Sequence, residues 1–257
     1  MARLPAENVF IITGKSTKNQ AADHFYIGSV FAELKCGESS KGSYMFPLWV
    51  NEKPQGKGFL PNEPNINSKV LERYEKIVGA EATPFRVHMY VYAVMYSPSY
   101  RMIFNENISE DFIHIPYPTN AKSFNELSAH GETLFRLHTL NHPALDHLVT
   151  SFPEEGSNRI TRSIGKDDWK VDEDKGTMRV WINDEQYFDG IPGEAWELSI
   201  GGYFPAQKWL KDRKGRALSF NEIIDYQRVI VALAETVRVM GEIDDAMAGL
   251  LDGMDAA

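Results

Sequence analysis

The sequence predicts an α+β fold: small mixed or antiparallel β elements, several packed helices and a long C-terminal helix. Three observations carry this reading. Residues 124–138 and 223–247 repeat apolar side chains at steps of three and four, the helical period. Residues 169–182 place a polar turn between runs of alternating polarity, the pattern of a hairpin. The two kinds of segment do not alternate regularly, which argues against a parallel α/β sheet. With 43% hydrophobic and 25% charged residues among 257, the composition suits a globular protein of one large domain or two small ones. The expectation is a single domain over residues 1–257, with room for two sub-units, 1–155 (a β start plus helices) and 156–257 (hairpin, basic helix and long C-terminal helix).

The elements follow in order. Val9 to Thr13 is a short β-rich run ending in the polar loop Gly14 to Gln20. Tyr44 to Val50 is a second, and Pro47 within it suits an edge strand or bulge. Asn51 to Asn67 reads as a loop, with three prolines and two glycines. A helix is expected from Ser68 to Val78, stopped by Gly79. Thr83 caps and Pro84 opens the next helix, which is apolar nearly all round to Tyr96 and so belongs in the core. Ser97-Pro98 ends it, and Pro116 and Pro118 keep residues 113–118 out of helix.

Ser123-Phe124-Asn125-Glu126 and Ser219-Phe220-Asn221-Glu222 both fit the capping box, in which serine and glutamate satisfy the first free amides of a helix. The first helix carries Phe124, Leu127, Gly131, Leu134 and His138 on one face. The second carries a heptad seam of Ile223, Tyr226, Ile230, Leu233, Val237, Met240 and Met247, which either packs on its own domain or binds a partner helix. Asp244 interrupts that seam. Between the two helices lie the hairpin, the Gln186-Tyr187-Phe188 stretch, the Pro192-Gly193 turn and the Ala195 to Ile200 run, all in a β-rich section. Pro205 starts a short basic helix that Gly215 stops.

Several function classes fall away. Thr13-Gly14-Lys15-Ser16 has the end of a phosphate-binding loop, but the glycine needed five residues before the Gly-Lys pair is Val9, so a polar loop is the better reading. His138 and His142 stand four apart, yet Pro143 follows and no glutamate lies between them; no metal site is expected among the seven histidines. The sequence has no Gly-x-Ser-x-Gly elbow, no glycine-rich loop for S-adenosylmethionine and no Asn-Pro-Pro-Tyr-type tetrad. The chain is therefore expected to have no enzymatic activity and no cofactor of its own. The single cysteine, Cys36, fits a reducing compartment. Residues Met1 to Glu7 do not resemble a signal peptide, and the apolar run Val87 to Tyr96 is shorter than the roughly 20 residues of a membrane span. A cytoplasmic protein without a membrane partner is the expectation.

The formal net charge is −9, but it is unevenly placed. From Ser219 onward eight acids face two bases, whereas Gly201 to Arg216 holds Lys208, Lys211, Arg213, Lys214 and Arg216 against Asp212 alone. A second basic group, Arg159, Arg162, Lys166 and Lys170, leads into the hairpin. A local patch suffices for nucleic acid, although composition alone is equally served by a solvated basic face.

A stronger signal is a series of motifs. Ile200-Gly201-Gly202-Tyr203 with Lys208-Trp209-Leu210-Lys211-Asp212-Arg213-Lys214-Gly215-Arg216 follows Trp181-Ile182-Asn183, Gln186-Tyr187-Phe188-Asp189-Gly190-Ile191-Pro192 and Ala195-Trp196-Glu197. Upstream stand Tyr44-Met45-Phe46-Pro47-Leu48-Trp49, the stretch from Tyr90 to Arg101, and Asp111-Phe112-Ile113-His114-Ile115-Pro116. Together, over about Val9 to Ile243, they resemble the C-terminal specificity (target-recognition) domain of the Type ISP single-polypeptide restriction–modification enzymes. In that family a nuclease, a helicase-like motor and an N6-adenine methyltransferase precede a domain that reads the target. The resemblance implies bacterial defence, double-stranded DNA as a partner, and adenine-specific methyltransferase and helicase-like domains in cis or in trans. A protein–protein docking module of the same assembly, using the heptad helix and touching no DNA, is the alternative.

The Lys-Trp-Leu-Lys-Asp-Arg-Lys-Gly-Arg block recurs among family members that read different sequences, so it cannot choose the bases. Lys208, Lys211, Arg213, Lys214 and Arg216 are accordingly expected to hold phosphates. Base reading is assigned to two loops, with Lys15, Ser16, Lys18 and Asn19 in the first and Arg159, Arg162, Lys166 and Lys170 in the second.

Overall fold

A computed structural model of the chain describes residues 8–14, 24–29, 42–51, 62–108 and 114–251. The chain divides into two compact units, Met1–Thr139 with Val239–Ala257, and Leu140–Arg238. Antiparallel sheets, packed helices and a long C-terminal helix together make the α+β architecture that the sequence predicts.

In the first unit, β1 (Phe10–Gly14) is buried almost throughout and forms the middle of an antiparallel sheet. It lies between β2 (Phe25–Gly28) and β3 (Ser43–Pro47). Pro47 sits on the edge strand, where its missing N–H costs no ladder bond. The Tyr44 to Val50 run breaks at buried Leu48, whose N–H donates to the Val9 carbonyl at 2.8 Å. It resumes as β4 (Trp49–Asn51), paired with β5 (Asn62–Pro64), a short strand inside the expected loop. α1 (Ser68–Val78) has the predicted bounds and ends at Gly79, whose φ of +71° is left-handed.

α2 (Pro84–Tyr96) is capped by Thr83 as expected, its Oγ1 accepting from the Arg86 N–H at 3.3 Å. The chain does not leave helix after Ser97: α3 (Pro98–Ile108) begins at once. Proline is tolerated in a first turn, and Asp244 caps this one from far along the chain. Its carboxylate accepts from the Ser99 N–H at 3.2 Å, from the Ser99 hydroxyl at 2.7 Å and from the Ser97 hydroxyl. That contact explains the break in the heptad seam.

α4 (Ala121–His138) starts earlier than the capping box implies. Asn120 is its cap, accepting from the Ser123 N–H at 3.0 Å, while Ser123 turns its hydroxyl back to the Asn120 carbonyl. α2 and α4 cross in backbone contact, since a Cβ on Gly131 would stand 1.9 Å from the Met89 carbonyl oxygen. Around this crossing Tyr74, Tyr90 and Phe124 pack with ring centroids 5.6 to 5.9 Å apart, an arrangement that rewards edge and offset contacts. His138 is a core histidine, 2.7 Å from the Tyr92 hydroxyl.

The second unit is built on an antiparallel sheet of β6 (Trp169–Asp172), β7 (Thr177–Trp181) and β8 (Tyr187–Pro192). β6 and β7 are the expected hairpin. The inner face buries Met178, Val180, Phe188 and Ile191. The Ala195 to Ile200 run does not extend the sheet: α5 (Gly193–Glu197) follows β8 directly and buries Trp196. α6 (Pro205–Lys211) is the expected basic helix, and α7 (Phe220–Leu251) the long one. Trp209 of α6 meets Tyr226 of α7 at 5.0 Å between centroids, and the Tyr226 hydroxyl donates to the Ala206 carbonyl at 3.2 Å. Burying side chains of this size contributes about 1.5–3 kcal/mol each, which fixes α6 on α7.

The Ser219 capping box forms as predicted, with the Glu222 N–H 3.3 Å from the Ser219 hydroxyl and the Ser219 N–H 3.0 Å from the Glu222 carboxylate. Most of the heptad seam is spent on the chain's own cores: Ile223, Tyr226, Ile230, Leu233 and Met247 are buried, and Val237 and Met240 are half-buried. Among the described residues no helix is long and apolar enough to cross a membrane.

Candidate functional site

The basic block occupies α6 and the turn after it. Lys208, Lys211, Lys214 and Arg216 are exposed. Lys208 pairs with Asp212 one helical turn on, at 2.8 Å, and Lys211 donates to Gln207 at 3.1 Å. Both are surface contacts, worth about 0–1 kcal/mol and readily exchanged for a phosphate. Arg213 has a different position. Its guanidinium lies 3.6 Å from the Trp209 ring centre and donates to the Trp209 carbonyl at 3.1 Å. It shares Glu222 with Arg216, which approaches to 2.7 Å. The Ser219 N–H and hydroxyl, and then these two arginines, hold the Glu222 carboxyl below its ordinary range. The turn is thus tied to the start of α7 by a carboxylate that stays ionised.

Two groups that are separate in sequence meet here. Residues 158–160 run antiparallel to 215–218: the Ile160 N–H donates to the Arg216 carbonyl, the Gly215 N–H to the Ile160 carbonyl, and the Leu218 N–H to the Asn158 carbonyl. Arg159 therefore lies against the basic turn, and its guanidinium donates to the Gly215 carbonyl. Arg162, Lys166 and Lys170 do not join this pairing. Arg162 is held by the Asn183 carbonyl at 3.1 Å and by Asp168 and Asp184 at 3.0 Å each. Lys170, on the outer face of the sheet, stands 5.6 Å over the Trp181 ring. Lys166 is exposed. Lys15, Ser16, Lys18 and Asn19 lie outside the described residues.

A buried amide network places the Arg159 segment, and residue-type reasoning did not single it out. Gln186 is fully buried. Its Oε1 accepts from the Asn158 N–H at 2.7 Å and from Asn183 Nδ2 at 3.0 Å. Its Nε2 donates to the Asn158 side chain at 2.8 Å and to the Glu154 carbonyl at 2.9 Å. Asn183 Nδ2 also donates to the Arg159 carbonyl at 3.1 Å. Asn158 adopts φ +54°, a left-handed conformation that asparagine tolerates better than most residues. Gly156 leaves room for the amide, since a Cβ there would stand 2.7 Å from Gln186 Cδ. The only sequence signal for this network is that Asn183 and Gln186 fall in the motif series.

No group of three or more His, Cys, Asp or Glu residues is placed to hold a metal ion among the described residues. The arrangement offers hydrogen-bond donors and positive charge on a rigid frame, the chemistry of anion and base-edge recognition.

The family model of the Type ISP C-terminal specificity domain matches residues 1–242. No curated protein matches the chain. Among solved structures, a cryo-EM DrdV–DNA complex is similar with a TM-score of 0.68 at 21% identity, over 92% of this chain and 25% of that one. The ATP-dependent Type ISP restriction–modification enzyme LlaBIII bound to DNA gives a TM-score of 0.64 at 16% identity, over 93% and 16%. A nuclease-deletion mutant of the Type ISP enzyme LlaGI, in complex with a DNA substrate mimic, gives 0.60 at 18%, over 93% and 21%. At these identities the likeness is one of fold, and the chain spans a quarter or less of each of those proteins.

Proposed function

From its membership of the Type ISP C-terminal specificity domain family, shown by a match over residues 1–242, we propose that this chain reads double-stranded DNA for a restriction–modification enzyme. The family is a specificity module and not a catalytic one. In this reading the chain grips a duplex through Lys208, Lys211, Lys214 and Arg216, with Arg213 and Glu222 bracing the turn. Arg159 and the loop that follows it address the bases. The module positions an adenine-specific methyltransferase, and a helicase-like motor acts alongside, in cis or in trans.

The observation that carries the proposal is the family match joined to one geometric fact: Arg159 is paired, backbone to backbone, with the exposed basic turn. Phosphate contacts position a protein on DNA and base contacts specify, so donors of both kinds are needed side by side. The docking alternative finds less support, because the helix it relies on buries most of its seam in the chain itself. Duplex binding followed by fluorescence anisotropy across salt tests the proposal. A grip on four phosphates gives a slope of log affinity against log salt near −3.6, at about −0.9 per contact. Salt-independent association, or none, would contradict it.

A further inference from the structure

The loop at residues 161–168 is held more firmly than an exposed loop requires. The Thr161 and Arg162 N–H groups both donate to the Ile182 carbonyl, at 2.9 and 3.1 Å. Ile164 has φ +57° although it is β-branched, and its side chain is buried. That conformation is strained for a β-branched residue and persists only where surrounding contacts impose it. Here Asp168, itself buried, supplies one such contact by accepting from the Gly165 N–H at 2.8 Å. Arg162 closes the other side by bridging Asp168, Asp184 and the Asn183 carbonyl. Burial pushes the Asp168 carboxyl up, but these donors together hold it below its ordinary range, so the brace stays charged.

The residues this frame displays are Ser163, Lys166 and Asp167, all exposed. Unlike Arg162, Arg213, Arg216 and Lys208, neither Lys166 nor Asp167 forms an ion pair among the described residues. A rigid loop carrying an unpaired donor beside an unpaired acceptor has the character of a reading head. We infer that residues 161–168 are the base-reading loop, that Lys166 and Asp167 select a G·C pair, and that Arg162 is a positioning residue. In the major groove guanine presents the O6 and N7 acceptors a lysine can use, and its partner cytosine presents the N4 amine a carboxylate can accept. Ser163, donor and acceptor at once, meets the neighbouring pair. This inference rests on the duplex-reading function proposed above.

The test is selection of the full chain on a duplex pool with a randomised central segment, then competition binding of the enriched sequence against single-pair changes. The wild-type protein is expected to enrich a sequence with one required G·C pair. Lys166→Ala and Asp167→Asn are expected to lose about tenfold discrimination at that pair while still binding duplex. Arg162→Ala is expected to lose discrimination at the same pair and to leave the other positions unchanged. Wild-type enrichment with the same preference in the Lys166 and Asp167 variants overturns this inference and leaves duplex reading standing. An Arg162→Ala protein that weakens on every sequence alike overturns the positioning role. A wild-type chain that binds no duplex, or enriches nothing, overturns the duplex-reading function and this inference with it.

Discussion

Replacing Gln186 with leucine isolates what the buried amide network contributes. The two side chains have similar volume, so the substitution neither opens a large cavity nor overfills the site. What it removes is polar: two bonds accepted at Oε1 and two donated from Nε2, at 2.7 to 3.0 Å. Some partners recover. Glu154 is exposed and its carbonyl can turn to water, and Asn183 Nδ2 keeps the Arg159 carbonyl. The Asn158 N–H and the second Asn183 N–H do not. At about 1–3 kcal/mol for each of these two groups left unpaired, the expected loss is ~2–6 kcal/mol. Urea unfolding should show it as a lower midpoint with an unchanged m-value. Because Asn158 and Asn183 also fix the Arg159 segment, duplex affinity should fall at urea concentrations where the variant remains folded. A loss below about 0.5 kcal/mol, the level of an ordinary surface change, would mean that the amide network does not hold this segment.

Other perturbations follow from single contacts. Gly131→Ala places a methyl 1.9 Å from the Met89 carbonyl oxygen and forces α2 and α4 apart; a destabilisation of about 3 kcal/mol or more by urea unfolding is expected, and less than 1 would contradict the close crossing. Asp244→Ala removes the cap of α3 and should cost about 1–2 kcal/mol, read as a lower melting temperature, whereas Asp245→Ala nearby should be neutral. Burial lowers the pKa of His88 to about 4, and burial followed by Arg101 lowers that of His138 to about 4. Both are therefore neutral in the fold but gain protons on unfolding below pH 6.5, so stability is complete above that value and is lost as pH falls toward 4. The expected slope is about 1.4 kcal/mol per pH unit for each histidine, and unfolding at pH 7, 6 and 5 should halve that slope in His138→Gln. A flat profile over that range would contradict the assignment.

Where a local rule decides the structure, it was legible in the sequence. The Ser219–Glu222 box, the Thr83-Pro84 opening of α2 and the hairpin at 169–181 each depend on residues within a few positions of one another. Elements fixed by distant partners were not. α3 restarts at Pro98 because Asp244, 145 residues on from Ser99, caps it. β5 exists because β4 gives it an edge to pair with, and the Ala195 run became α5 because Trp196 has a core to fill. At α4 a local rule misled, since Asn120 takes the capping position in place of Ser123 and adds three residues, most of a turn. The candidate site divides in the same way. Its basic residues were visible as composition, but the pairing of residues 158–160 with 215–218 and the Gln186 network are long-range and appear only in the folded chain.

The most direct test of the account compares salt dependence between the wild-type chain and a Lys211→Ala/Lys214→Ala double variant on one duplex. Both lysines are exposed and outside either core, so folding should be unaffected. If the turn after α6 grips phosphates, the slope of log affinity against log salt becomes shallower by about 1.8, two contacts at 0.9 each, whatever the DNA sequence. Identical slopes and affinities for the two proteins would place the duplex elsewhere and contradict the account.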